Sequence, residues 1–535
     1  MFAHLILLSL IPFLLFYLLD RSRHFRYRQY AAWPQLPPSL VWGRMKALHE
    51  FISRGEGTRH IEQQPIAISD VVFHEIREHL GNPPLMFFNL RPLQRPLCVV
   101  GNHDVAEQIS RSTKPFPYSM AKSPTMEQFE PLLGPHSIIT ADGEKWKALR
   151  KRFSPGFAPQ QLMTLLPCIL DKAERFVEVL DGYARSGEEF SLDHPCVSLT
   201  FDIIGAVTMD TDFRAQLDPS QQSEIAHLYR QLTTSYRRDS DKTVRWDWFN
   251  LRVARQRRAL ARRIDTLIID HIKTKFAEFK TQSDKPSQSV LSLSLQDIEP
   301  LDDQVLHETC DQLKSFLFAG HNTTSVLLQW GFYELSRTPH VLDTLRRELD
   351  DIFGAGTSPA VVQKKLLAPG GADLLRQMSY TSAVIKEGAV ARDASGEPVL
   401  NAKGQSAWTG NEFLPERWLG DTDTGMGLVD EKRDGPGATG QVPASAWRPF
   451  ERGPRNCIGQ ELANIEARVI LACTARRFDF EKMGLGAVAR DASGEPVLNA
   501  KGQYEVESEL FNTMQVTAKP VDGTMMRVRL ATKSH

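Results

Sequence analysis

Along this chain the spacing of apolar side chains changes character twice. Pro84-Leu-Met-Phe-Phe-Asn-Leu and Leu97-Cys-Val-Val100 are short apolar runs separated by a turn-rich break, the pattern of a pair of strands. From about residue 140 the pattern becomes predominantly helical. Within it, Asp302 to Arg337 is longer than an average helix, yet apolar positions recur along it at Val305, Leu313, Phe316 and Leu317. Residues 419–443, rich in Gly, Asp and Thr, predict an exposed loop. Between Tyr504 and Leu530, alternating stretches such as Met514-Gln-Val-Thr and Met526-Arg-Val-Arg-Leu predict a terminal β-hairpin.

Phe2 to Leu19 is a separate apolar run, broken only by His4, Ser9 and Pro12 and followed by Arg21, Arg23, Arg26 and Arg28. A run of roughly 18 residues just spans a hydrocarbon core, and positive charge on its downstream side keeps the following chain cytosolic. A cleaved secretory signal is the rival reading, but it requires a basic stretch before the run and a small-residue cleavage site, and neither is evident. The expected organisation is a transmembrane anchor over 1–20, a basic and proline-rich linker over 21–45 stiffened by Pro34, Pro37 and Pro38, and one large domain over 46–535.

Charge and cysteine usage narrow the function. The 64 Lys and Arg balance 65 Asp and Glu, which argues against a dedicated nucleic-acid binder. The local basic run from Arg252 through Arg255, Arg257 and Arg258 to Arg262 and Arg263 reads as a solvated helix face rather than a partner site. Cys98, Cys168, Cys196, Cys310, Cys457 and Cys473 are scattered with no C-x-x-C pair, so they form neither a disulfide framework nor a zinc site. A reducing compartment fits them.

The chemistry concentrates in Phe450-Glu-Arg-Gly-Pro-Arg-Asn-Cys457-Ile-Gly459, just before a long apolar-periodic segment. A thiolate ligand must be deprotonated, shielded and held still, and a helix N-terminus and a metal both favour the thiolate. Gly453 lets the chain turn tightly, and Gly459 lets the next helix approach a flat cofactor without a Cβ in the way. Arg455 can neutralise a haem propionate and Phe450 can cover the sulfur. The stretch matches F-x-x-G-x-R-x-C-x-G, and on it the chain resembles the cytochrome P450 haem-thiolate monooxygenases, with Cys457 as axial ligand.

Three further stretches carry the resemblance. Trp146 and Arg150 stand at i and i+4 on one helix face, where an indole N–H and a guanidinium can both bind a carboxylate. This is similar to the family's W-x-x-x-R, which holds a haem propionate. Lys145, Lys147, Lys151 and Arg152 add a basic surface beside it, read equally as a docking face for an acidic reductase or as solvated charge. Ala319-Gly320-His-Asn322-Thr323-Thr324 interrupts the long helical pattern, and Gly320 in a helix interior implies close packing. It resembles the family's A-G-x-D/E-T-T/S element, by which Thr323 helps deliver protons to bound oxygen. Asn322 replaces the usual acid, and an amide orients water without carrying a proton. Finally, Phe413-Leu-Pro-Glu-Arg417-Trp418 resembles the family's P-E-R-F/W element.

The arginine of that element normally pairs with an upstream Glu-x-x-Arg helix, here expected at Tyr380 to Glu387. Three residues beyond Glu387 stands Val390, and Arg392 is two positions late, about 200° away around a helix. Residues 388–405, GAVARDASGEPVLNAKGQ, recur identically at 486–503. The second copy leads into the C-terminal hairpin, where a polar turn belongs. The first takes the place of the rest of the Glu-x-x-Arg helix, substrate-facing strands and a proline-rich turn. A duplication, a recombinant joining and a mis-joined gene prediction are the alternatives. A three-way ion network cannot form here as the family builds it, and losing one partner from a buried network costs about 3–5 kcal/mol.

The resemblance implies a mainly α fold with small β-sheets, the cytochrome P450 fold, disrupted at 388–412. It implies haem b, electrons from NADPH through a flavoprotein reductase, and insertion of one oxygen atom from O2 into a small apolar substrate. It also implies an endoplasmic reticulum membrane protein with its catalytic part cytosolic, acting as a monomer. The wording from Arg448 to Gly459 looks most like fungal enzymes of secondary metabolism. The competing expectation is a remnant that binds haem poorly or not at all.

Overall fold

Helices carry most of the chain, and three small antiparallel sheets punctuate it among the described residues. The computed structural model describes residues 2–39, 42–58, 70–89, 95–118, 120–240, 251–281, 288–389, 413–419, 444–510, 512–514 and 517–532. They group into two compact units, one within residues 1–109 and the other beginning at Ser110.

The first unit opens with the helix Phe2–Arg23, on which Phe13 and Phe16 are 73% and 72% exposed. Among the described residues no helix is long and apolar enough to cross a membrane. The expected strand pair is present: β1 (Leu85–Phe88) runs antiparallel to β2 (Leu97–Val100), with Leu85 opposite Val100. Met86 and Phe88 alternate onto the inner face and bury with Leu36, Leu48 and Ile76.

In the second unit the helix Asp303–Arg337 is the spine. Asp302 caps it, its carboxylate accepting the Val305 N–H at 2.8 Å. Leu306, Leu313, Leu317, Leu328 and Phe332 are all buried along it, each worth about 1.5–3 kcal/mol of transfer free energy. The interruption expected at 319–324 is absent, and the helix is continuous. Gly320 is there for packing: a Cβ would stand 2.7 Å from Ile204 Cδ1 on the helix Asp193–Met209. The helices Leu251–Thr281, Ser379–Gly388 and Gln460–Thr474 also pack on the spine. On Leu251–Thr281 the basic run splits. Arg257 stacks over Tyr236 and Arg263 pairs with Glu224, while Arg252, Arg255, Arg258 and Arg262 face solvent.

The C-terminal strands depart from the expected hairpin. Asn512–Met514 (β5) pairs with Ala518–Pro520 (β6), but Met525–Leu530 (β7) lies between Phe190–Ser191 (β3) and Phe478–Lys482 (β4). Met526 and Val528 are buried on β7, opposite Lys482 and Phe480 of β4, and a one-residue slip would turn both out of the core.

Residues 486–503 fold as two successive turns of one design. Asp491 Oδ1 accepts the N–H groups of Ser493 and Glu495, and Asn499 Oδ1 accepts those of Lys501 and Gln503. Gly494 and Gly502 take φ +86° and +75°, open only to glycine at low cost. Gln503 donates to Thr338 Oγ1 at 2.9 Å and the Tyr504 N–H to the Arg337 carbonyl at 2.8 Å, docking the turns on the end of the spine. Of the identical first copy, Gly388 and Ala389 close the helix Ser379–Gly388. Val390, Arg392 and the rest to residue 412 lie outside the described residues, as do 420–443.

Candidate functional site

The cysteine loop is closed by its own backbone. The Cys457 N–H donates to the Phe450 carbonyl at 2.8 Å, and the Asn456 N–H to the Gly453 carbonyl at 3.1 Å. Gly453 has φ +77°, and a Cβ there would meet the Ser110 carbonyl oxygen at 2.3 Å, so no other residue fits. Gly459 caps the helix Gln460–Thr474 directly after the cysteine, and a Cβ on it would stand 3.9 Å from Cys457 Sγ. The thiol is exposed, yet protein crowds it enough that desolvation raises its pKa. The Gly459 and Gln460 N–H groups and the charge of Arg150 pull the pKa back down.

Beside this loop, the helix Gly143–Phe153 presents Trp146 and Arg150 as expected. Arg150 grips the loop itself, donating to the Asn456 carbonyl at 2.8 Å and to its side-chain oxygen at 3.0 Å. Arg455 stacks over the buried Trp146 ring, 5.1 Å from its centre, and pairs with Asp142 at 2.7 Å. Lys122 joins them, its pKa lowered first by burial and then by the Arg455 charge. Lys122 and Arg455 thus share Asp142, with Glu451 also near Lys122. Lys122 carries no motif and is brought in only by folding. Of the basic surface nearby, Lys145, Lys147 and Lys151 are exposed. Arg152 instead turns inward to the Ser294 carbonyl and Thr309 Oγ1, at 3.1 and 2.7 Å, so it leaves that face.

On the spine, Thr323 is exposed and its hydroxyl donates back to the Ala319 carbonyl at 2.6 Å. Thr323 is exposed between the buried Asn322 and Thr324, and Ala319, one turn earlier, is half-buried with Phe318 and Gly320. Asn322 points elsewhere: it is buried, and its amide donates to Thr517 Oγ1 at 2.6 Å. His321 is buried edge-on to Phe201 and Tyr229, and burial pushes its pKa down to about 4. Thr324 hydrogen-bonds Glu466 of the helix Gln460–Thr474, a carboxyl that burial pushes up to about 8.

Glu387 and Arg417 come together, Oε2 to Nε at 3.3 Å. Two more donors meet the same carboxylate: the Trp418 indole N–H at 2.7 Å and the Leu414 N–H at 3.3 Å. The Trp418 bond has no counterpart in the expected arginine pairing.

A helical body with small sheets and an exposed cysteine just before a helix N-terminus is the arrangement expected of a cytochrome P450. The Cytochrome P450 family model matches residues 68–388 and 409–507, and the chain belongs to that family. It is 32% identical over 479 residues to cytochrome P450 monooxygenase acrF of Aspergillus aculeatus, covering 82% of this chain and 92% of that protein. It is 25% identical over 438 residues to cytochrome P450 monooxygenase polC of Polytolypa hystricis, covering 74% and 73%. The crystal structure of the cytochrome P450DA heme domain superposes with a TM-score of 0.64 at 18% identity, covering 93% of this chain and 97% of that one. The family match stops at the first residue of the first copy, resumes at 409 beyond that copy, and runs unbroken through the second.

Proposed function

We propose that the chain is a haem-dependent monooxygenase that inserts one oxygen atom from O2 into a small apolar substrate, in fungal secondary metabolism. The observation that carries this is the Cys457 sulfur: accessible, at a helix N-terminus, and accepting N–H groups from Gly459 and Gln460. The donor set fits haem b. Cys457 would supply the thiolate ligand, Phe450 and Gly459 border the sulfur, and Gly453 shapes the loop. Lys122, Trp146, Arg150 and Arg455 supply the excess positive charge and indole N–H that two propionates need. Bound there, haem supplies oxygen activation, and thiolate ligation favours O–O cleavage.

The chain's own part is to position and to move protons. Ala319 and Thr323 offer the accessible turn of the spine, with Gly320 holding that turn close to its neighbouring helix. The Thr323 hydroxyl, already oriented by Ala319, is the proton-handling group. Asn322, an amide bonded to Thr517, does not carry a proton. Electrons come from NADPH through a flavoprotein reductase, docking on the face of Lys145, Lys147 and Lys151. The helix Phe2–Arg23, with its exposed Phe13 and Phe16, anchors a monomer to the endoplasmic reticulum membrane with the rest of the chain cytosolic.

A carbon monoxide difference spectrum of the reduced protein tests the reading. A strongly red-shifted Soret band is the expected result, and a blue-lying band or no haem refutes it. One observation favours a second reading, a haem-poor remnant: the family match stops at 388, where Glu-x-x-Arg would be completed. NADPH-dependent product formation separates the two.

A further inference from the structure

The Glu387 carboxylate is 3% exposed, so its charge needs donors from the protein. Its Oε2 receives the Trp418 Nε1–H at 2.7 Å, a shorter contact than the 3.3 Å to Arg417 Nε, which also donates to the Leu414 carbonyl. The Trp418 ring meets Trp447 edge to face, 6.3 Å between centres at 68°. Trp447 in turn donates its own Nε1–H to the carbonyl of Lys386, the residue before Glu387, at 3.2 Å. Its other neighbour is Phe450, 5.7 Å away, and the Phe450 carbonyl is the acceptor of the Cys457 N–H. Two indoles therefore bridge the last turn of the helix Ser379–Gly388 to the loop that carries the cysteine.

We propose that Trp418 and Trp447 are positioning residues that hold the Cys457 loop against Glu387. A phenylalanine at 418 would fill the same space and stack on Trp447 but would leave Glu387 short of one donor. The flat rings suit the task because each couples one directed N–H to a large packing surface. The link rests on the haem-thiolate reading for its purpose, but not for its test.

Hydrogen exchange of full-length protein, resolved to peptides across residues 448–459, reads the loop whether or not haem is bound. Trp418→Phe should speed exchange of the Asn456 and Cys457 amides about tenfold or more, as expected for loss of a hydrogen bond to a charged group. Trp418→His, which keeps a ring N–H, should recover most of the protection. Trp330→Phe, whose indole bonds Asn512 outside this link, should leave the loop unchanged. Should Trp418→Phe not fold, Trp447→Phe must show the same local acceleration. Wild-type exchange in the loop of a folded Trp418→Phe or Trp447→Phe overturns the proposal, as does acceleration equal to that in the Trp330→Phe control. The carbon monoxide spectrum of the wild type reports separately on the haem-thiolate reading, so either can fail alone.

Discussion

The Asn322 amide donates to Thr517 Oγ1 at 2.6 Å, tying the spine to the turn between β5 and β6. The side chain at the position of the family's acid is thereby committed to holding the C-terminal hairpin. Asn322→Ala should destabilise the fold by about 0.5–1.5 kcal/mol, because a part-buried hydrogen bond is lost; denaturant unfolding measures this. Asn322→Asp keeps a partner for the Thr517 hydroxyl and adds a proton carrier. It should raise the fraction of NADPH electrons that reach product rather than peroxide. An unchanged fraction would show that proton delivery does not pass this position.

Cys457→Ala should abolish the thiolate-type spectrum while leaving the helical signal in circular dichroism intact. The loop is closed by backbone hydrogen bonds and by Arg150, none of which uses the sulfur. An unchanged spectrum would remove Cys457 as ligand.

Gly320→Ala and Gly453→Ala should differ in kind. At Gly320 the obstacle is the Ile204 side chain at 2.7 Å, so overpacking costs about 1–3 kcal/mol and Ile204→Ala should restore most of it. At Gly453 the obstacle is the Ser110 carbonyl at 2.3 Å with φ +77°, and no side-chain change relieves a backbone clash. Haem content of the four single and double variants checks this, and rescue of Gly453→Ala by Ser110→Gly would contradict it.

Stability should decline with rising pH through the buried carboxyl of Glu466, with Asp202, raised from 3.8 to about 6, adding to the decline at lower pH. Glu466 is raised from 4.5 to about 8 by burial, so the folded state holds a proton that the unfolded state has lost. Its contribution is complete below about pH 4.5 and is lost as pH rises through about 8, at up to about 1.4 kcal/mol per unit. His321, lowered from 6.5 to about 4, acts at the other end: its contribution is present above about pH 6.5 and lost as pH falls through about 4. Glu466→Gln should flatten the alkaline decline and leave the acid limb. Parallel curves for variant and wild type between pH 5 and 8 would exclude Glu466 as the cause.

What the sequence by itself determined is whatever a short stretch of backbone encodes. The cysteine loop is legible because Gly453, Cys457 and Gly459 act within one turn and the helix that follows. Trp146 and Arg150 are legible because a helix repeats every 3.6 residues. The β1–β2 pair and the break beyond Glu387 are legible for the same local reason. Tertiary structure decided the partners, because those contacts join residues far apart in the chain with no spacing rule between them. It sent Asn322 to Thr517, Arg152 inward to Thr309 and Lys122 to the Arg455 cluster. It placed β7 between β3 and β4, where burying Met526 and Val528 outweighs the nearest hairpin. It also brought Trp418 to Glu387: a buried carboxylate takes the donors that packing delivers, and that selection is made in three dimensions.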